Sequence, residues 1–264
     1  MASRIAIVAF AIGQAGLLPA YGQDSVQKFA LESIEQLSPV GVIAEASKFA
    51  GAKAVKLTID PTISPGTATV DTVTLALIKG TDDFRNGTIE VTLESEVAPH
   101  APPGARGFVG LAFRVAPGRD RFEAFYLRPL NGRADDQVRR NHSTQYMSFP
   151  KYDFAPLRAA EPEKYESYVD IGPREWIRVR IDVDGARARL FVNGAAQPTL
   201  IVNDLKMGAD ATGPVGLWIY NGSVAHFRGP PYRQALSDGV RPNCAGPRGW
   251  RPRRARAGNT RRSW

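Results

Sequence analysis

At 264 residues the chain is long enough for one large β domain or two small ones, and its single cysteine, Cys244, excludes an intrachain disulfide. The net charge of +8 invites a nucleic-acid reading, but residues 229–264 hold nine arginines and one aspartate and so account for the whole excess. Residues 1–228 are therefore neutral, which argues against a nucleic-acid-binding fold carrying its own basic patch.

The first 22 residues read as an export signal. Arg4 precedes an apolar run from Ile5 that Gly13-Gln14 interrupts, too short for a membrane span. Ala20 and Gly22 frame Tyr21 in a small-residue pattern that suits cleavage before Gln23. A secreted or periplasmic protein with no span after cleavage is expected. Residues 25–50 hint at helix, but Pro39-Val40-Gly41 cuts the pattern, so 23–50 read as a lead-in segment with a first edge strand at its end.

Over residues 51–228 short strand-like runs follow one another. They are AVKLTI (54–59), TVTLALI (72–78), TIEVTLE (88–94), GFVGLAFRV (107–115) and RFEAFYLR (121–128). After a long interval come EWIRVRIDV (175–183), ARLFV (188–192), TLIVN (199–203), VGLWIY (215–220) and SVAHF (223–227). Asn86-Gly87 is a hairpin cue, as are Asp184-Gly185, Asn193-Gly194 and Asn221-Gly222, because these residues tolerate positive φ. Ile177, Val179, Ile181 and Val183 alternate with Arg178, Arg180 and Asp182, the mark of a sheet with one buried face. The pattern predicts an all-β, antiparallel sandwich or barrel over residues 51–228, and the alternation supports two sheets, each with one buried face.

Between residues 129 and 174 the periodicity is lost. Irregular stretches of that length inside a compact domain are functional or disordered, and Tyr146, Phe149, Tyr152, Phe154, Leu157, Tyr165 and Tyr168 supply apolar anchors. An ordered flap over one face of the sandwich is expected. Its first part gathers Arg128, Asn131, Arg133, Asp135, Asp136, Arg139, Arg140, Gln145 and Tyr146. Planar bidentate groups of this kind pair with the hydroxyls of sugars, and an aromatic ring such as Trp218 can lie beneath a sugar's C–H face. The competing reading has these arginines and carboxylates pairing with one another to pin the loop.

The segments DFRNGTIEVTLE, GFVGLAFRV, REWIRVRIDVDGARARLFVNG and GPVGLWIYNGSVAHFR occur in the order of a known superfamily. The chain resembles the concanavalin A-like lectin/glucanase jelly rolls, in particular the LamG-like domains and the domain-of-unknown-function 1080 group of 3-keto-disaccharide hydrolases. The resemblance implies a jelly-roll β-sandwich whose partner is a carbohydrate or glycoside. It implies either a binding module or a glycoside-processing hydrolase or lyase; a structural module without ligand is the third reading. It also leaves room for a calcium ion on loop Asp and Asn oxygens, although no EF-hand-like spacing occurs. No other cofactor is expected, and the three dispersed histidines predict no metal site.

An enzyme of the 3-keto type needs a base and an oxyanion stabiliser beside it. Glu123 and His142 are the candidate catalytic residues, with Arg128 or Arg140 as stabiliser. The chain departs from the superfamily after Phe227. Residues 229–264 lack hydrophobic periodicity and are crowded with Arg, Pro and Gly, a composition expected to be disordered. They read either as a basic tail for an acidic partner or, given the compositional break at Gly229, as the product of a frameshift. The residues carry no signal for oligomeric state.

Overall fold

The computed structural model describes residues 29–63, 72–220 and 222–229. The expected signal (1–22) and all of the expected tail beyond Gly229 lie outside the described residues.

The chain opens with β1 (Leu37–Val40), β2 (Val42–Phe49), β3 (Ala52–Ile59) and β4 (Leu75–Ile78). It continues through β5 (Gly87–Val97), β6 (Val109–Phe113) and β7 (Phe122–Leu127). Two short helices follow, α1 (Pro129–Gly132) and α2 (Gln137–Asn141), then β8 (Thr144–Phe149), α3 (Phe154–Ala160) and β9 (Glu166–Ser167). The last strands are β10 (Ile177–Asp184), β11 (Arg187–Val192), β12 (Leu200–Val202), β13 (Gly216–Ile219) and β14 (Ser223–Arg228).

These strands form two antiparallel seven-stranded sheets. Sheet 1 runs β1-β4-β13-β6-β7-β8-β9, and sheet 2 runs β12-β11-β10-β5-β14-β3-β2. One core lies between them. Alternate residues of each strand point inward, so Leu111, Phe113, Phe125, Tyr146 and Leu217 of sheet 1 meet Val55, Leu93, Ile181, Leu190 and Phe227 of sheet 2. The protein is a two-sheet jelly-roll β-sandwich, its two sheets as the alternation predicts and its jelly-roll type as the resemblance implies.

All ten predicted runs contain a strand, with ends shifted by a few residues. Three expectations are corrected. Asn86-Gly87 closes no hairpin, because β4 and β5 lie in different sheets. Instead, Asn86 Oδ1 accepts from Gly185 N at 2.9 Å, and the buried Arg114 guanidinium donates to the Arg85, Gly185 and Gly208 carbonyls beside it. Asn86 thus helps tie loops together at one end of the sandwich. The lead-in contains two strands rather than one, β1 at an edge of sheet 1 and β2 at an edge of sheet 2.

The third correction concerns the flap. Residues 144–149 are not part of an irregular cover: they form β8, paired along its length with β7, and β9 then edges the same sheet. Every β8 residue is buried, on both faces, so no polar–apolar alternation marks it in the sequence.

The outer face of sheet 1 is also apolar. Leu75, Phe122, Tyr126, Met147, Phe149 and Trp218 form a second buried cluster there. Gly110 sits between Trp218 and Tyr126 in the cross-strand register. A Cβ at Gly110 would lie 2.2 Å from the Phe125 carbonyl oxygen, so only glycine fits. With no side chain between them, the Tyr126 and Trp218 rings approach to 5.0 Å.

Candidate functional site

Pairing register builds a single row across the outer face of sheet 1. Leu75 on β4 faces Trp218, Trp218 faces Gly110, and Gly110 faces Tyr126. Tyr126 faces Gln145, and Gln145 faces Glu166 on β9. The row is aromatic at one end and polar at the other. Trp218 stacks on Tyr220 at 5.9 Å, and Phe108 packs edgewise on Tyr220 at 5.8 Å.

Arg128, two residues beyond Tyr126 on the same side of the strand, joins the two ends. Its guanidinium carbon lies 4.9 Å from the Tyr126 ring centroid and 5.7 Å from that of Phe108. Nη2 donates to the Tyr126 hydroxyl at 2.9 Å and to Gln145 Oε1 at 2.5 Å, and Nη1 donates to the His142 carbonyl at 2.9 Å. Glu166 Oε1 lies 3.7 Å from Nη1, with both side chains nearly sealed from solvent. Arg158, on α3, closes a fork on the Glu166 carboxylate, with Nε 3.0 Å from Oε2 and Nη2 on Oε1.

Two further titratable groups border this end. His142 Nδ1 lies 2.8 Å from Glu166 Oε2 but is poorly aligned for a hydrogen bond. Burial holds its imidazole below the usual range, against the opposing pull of the Glu166 charge. Asp153 caps α3 by accepting from Phe154 N at 2.6 Å. Burial raises its carboxyl, partly offset by that bond and by the Arg128 charge. Burial also pushes the Tyr126 phenol up, so it stays a neutral donor at ordinary pH.

One polar group in the row stays unsatisfied. Gln145 has no solvent exposure, and its Nε2 has no hydrogen-bond partner. Its Oε1 is already committed to Arg128. A small cleft lined by Asn141, His142, Glu163, Glu166, Ser167 and Tyr168 opens the polar end of the row to solvent. Arg140 lies next to it, with Nη2 donating to the hydroxyl of its lining residue Tyr168 at 2.9 Å.

The structure thus brings Arg128, His142, Gln145 and Trp218 to one face, with Arg140 at its margin. Asn131 supports them, donating from Nδ2 to the His142 carbonyl at 3.2 Å. The other predicted residues fall elsewhere. Arg133 is exposed and bonds Asp170 and Glu175, and Asp135 is exposed at the loop surface. Asp136 caps α2 by accepting from Arg139 N at 3.1 Å, and Arg139 bonds the Leu130 carbonyl and Asn131. Of these, Arg133 follows the pinning reading by pairing with carboxylates, while Asp136 and Arg139 hold the loop through its backbone and Asn131.

Glu123 and Tyr146 lie on the inward side of sheet 1, across the sheet from Arg128. Glu123 has no solvent exposure; it accepts from the Tyr146 hydroxyl and, at 2.6 Å, from Met207 N. Burial raises its carboxyl above the ordinary range, with these bonds and the Arg114 charge opposing the shift. Glu123 therefore forms no common site with His142 or Arg128. Strand alternation already separates it from Arg128, five positions away on an extended strand.

Tyr126, Arg158, Glu166 and Asp153 were not singled out from the sequence. Tyr126 shares a strand face with Arg128 and was open to detection by its spacing of two. Arg158 and Glu166 sit in a stretch with no periodic pattern. Among the described residues no group of three or more His, Cys, Asp or Glu side chains gathers as metal ligands, and no helix is long and apolar enough to cross a membrane.

No protein-family model and no curated protein matches the chain. Among solved structures, the chain is similar to the carbohydrate-binding module CBM66 from Bacillus subtilis, with 12% identity, a TM-score of 0.45, and coverage of 73% of this chain and 92% of that one. A protein of unknown function with a galectin-like fold, also from Bacillus subtilis, gives 14% identity, a TM-score of 0.42 and coverage of 77% and 95%. A galectin from Caenorhabditis elegans gives 12% identity, a TM-score of 0.34 and coverage of 60% and 91%.

Proposed function

We propose that the outer face of sheet 1 binds a carbohydrate or glycoside, entering at the cleft beside Glu166 and extending toward Trp218. The observation that carries this reading is the Gln145 amide. A fully buried N–H donor without a partner costs about 1–3 kcal/mol, and a hydroxyl oxygen admitted by a local opening of the side chains between the Glu166 cleft and Gln145 would recover that cost. Arg128 fixes the amide so that Nε2 is the free end. The partly exposed Tyr220 ring, stacked on the buried Trp218, supplies the flat surface that a sugar's C–H face prefers. We place the protein outside the cytoplasm, with residues 1–22 as a cleaved signal, residues 23–50 as a lead-in, residues 51–228 as the binding domain and residues 229–264 as an appended tail.

A second reading, a hydrolase or lyase of the 3-keto-disaccharide type, is favoured by one specific pair. His142, kept neutral by burial next to Glu166, is placed as a general base, and Arg128 and Arg158 supply positive charge. Incubation with a panel of glycosides and 3-keto-glycosides separates the two. The binding reading predicts retained ligand and no released sugar. Release that His142→Ala abolishes would establish the second reading. If nothing in the panel is either retained or released, both fail.

A further inference from the structure

The outer face of sheet 2 carries a second constellation, independent of the glycoside reading. His226 on β14 faces Glu94 on β5, and their side chains meet with Nδ1 2.5 Å from Oε1. On the other side of the ring, Nε2 lies 3.4 Å from the Oγ of Ser47. Ser47 is on β2, beyond β3, and the β3 residue opposite it is Ala54. That small side chain leaves the hydroxyl a clear path across the intervening strand to the imidazole. Glu94 is fully buried and His226 nearly so, while Ser47 is half-buried on the edge strand, where solvent reaches it.

Hydroxyl, imidazole and buried carboxylate stand in the order nucleophile, base and orienting acid. Phe49 stacks on the imidazole at 5.1 Å and 29°, and Trp176 meets Phe49 edge-on at 5.2 Å. These rings fix the plane of His226 and form an apolar wall beside Ser47. The Arg228 guanidinium lies 4.6 Å over Trp176, two residues along the strand from His226, and its buried Nε has no hydrogen-bond partner. Glu94 Oε2 is likewise buried without a partner. A group that merely pinned the sheet would gain nothing from leaving two such atoms unpaired, at a cost of about 1–3 kcal/mol each.

We infer that Ser47, His226 and Glu94 form a hydrolytic triad acting on carboxylic esters that carry an apolar or aryl group. Ser47 Oγ attacks the ester carbonyl carbon while its proton passes to His226 Nε2, and Glu94 holds the ring and the charge it acquires. The carbonyl oxygen takes the negative charge, and Arg228, two residues along the strand from His226, is the cation assigned to oppose it. Collapse breaks the carbon–oxygen bond to the alcohol, which leaves with the proton from Nε2. Water then attacks the acyl–Ser47 ester through the same base, releasing the carboxylic acid and restoring the Ser47 hydroxyl. Ser47 and His226 are the catalytic residues, and Glu94 is a positioning residue.

The test is treatment of the full chain with an alkyl fluorophosphonate, followed by peptide mapping. One adduct per chain on Ser47 is expected, absent in Ser47→Ala and in His226→Asn. Hydrolysis of p-nitrophenyl butyrate should fall by at least about a hundredfold in Ser47→Ala. Glu94→Gln should lower the rate while shifting the pH–rate midpoint, which a purely structural change would leave in place. Ser47 is half-buried, so its alanine variant should keep the wild-type thermal midpoint; should it unfold, the wild-type adduct decides alone. No adduct, an adduct on another residue, or equal hydrolysis by wild type and Ser47→Ala overturns the inference.

Discussion

Arg128→Ala is expected to abolish glycoside binding and to lower stability by about 3–5 kcal/mol, the usual cost of removing one partner from a buried ion pair. The guanidinium donates to the Tyr126 hydroxyl, Gln145 Oε1 and the His142 carbonyl, and it lies 3.7 Å from Glu166. Without it, three acceptors lose a donor inside the sheet face. Glu166 keeps only Arg158, whose own side chain is partly exposed, and the poorly aligned His142. The Gln145 amide loses its shorter bond at Oε1 and keeps only the Tyr126 hydroxyl at 3.3 Å, so the direction of Nε2 is less firmly held. Thermal unfolding checks the first effect, and binding by the residual folded protein at low temperature checks the second. A variant as stable as wild type would show that the Arg128–Glu166 pair is not buried as described.

Glu123→Ala is expected to cost about 2–5 kcal/mol while leaving glycoside binding intact. The loss leaves the Tyr146 hydroxyl and Met207 N without their acceptor, at about 1–3 kcal/mol each. Glu123→Gln, which keeps a carbonyl acceptor, should be far milder, and its pH dependence carries the sign. The folded-state carboxyl is raised, so the protonated form is the stabilised one. Its contribution is fully present below the ordinary glutamate value of about 4.3 and is lost as pH rises through the raised value. The stability difference between Glu123→Gln and wild type should therefore move in favour of the variant as pH is raised from acid toward neutral. Denaturant unfolding at a series of pH values measures it. Loss of binding in Glu123→Ala at temperatures where it remains folded would return Glu123 to the site.

The sandwich was legible because most of its strands bury one face, and a period of two survives in segments such as IRVRIDVD. β8 was not, because Thr144, Tyr146 and Ser148 point inward while Gln145, Met147 and Phe149 point outward, and both sides are buried. A strand covered on both faces has no polar partner to its apolar positions. The site was half legible for the same reason. Arg128 and Trp218 stand on readable strands, and Gln145 was named for its chemistry although its strand was missed. Glu166 entered the row only through the pairing of β9 with β8, a contact between residues that no local pattern joins. Glu123 shows the opposite error: a carboxylate close in sequence to Arg128, yet turned by strand alternation to the other face.

Binding by wild type and Gln145→Leu on one glycan array tests the role of the Gln145 amide most directly. Leucine fills the same space but offers no donor, and Arg128 retains the Tyr126 and His142 acceptors. Wild type is expected to retain at least one glycan and Gln145→Leu to bind it about tenfold more weakly, the worth of one buried hydrogen bond. Equal retention by both proteins, or retention of no glycan by the wild type, would contradict that role.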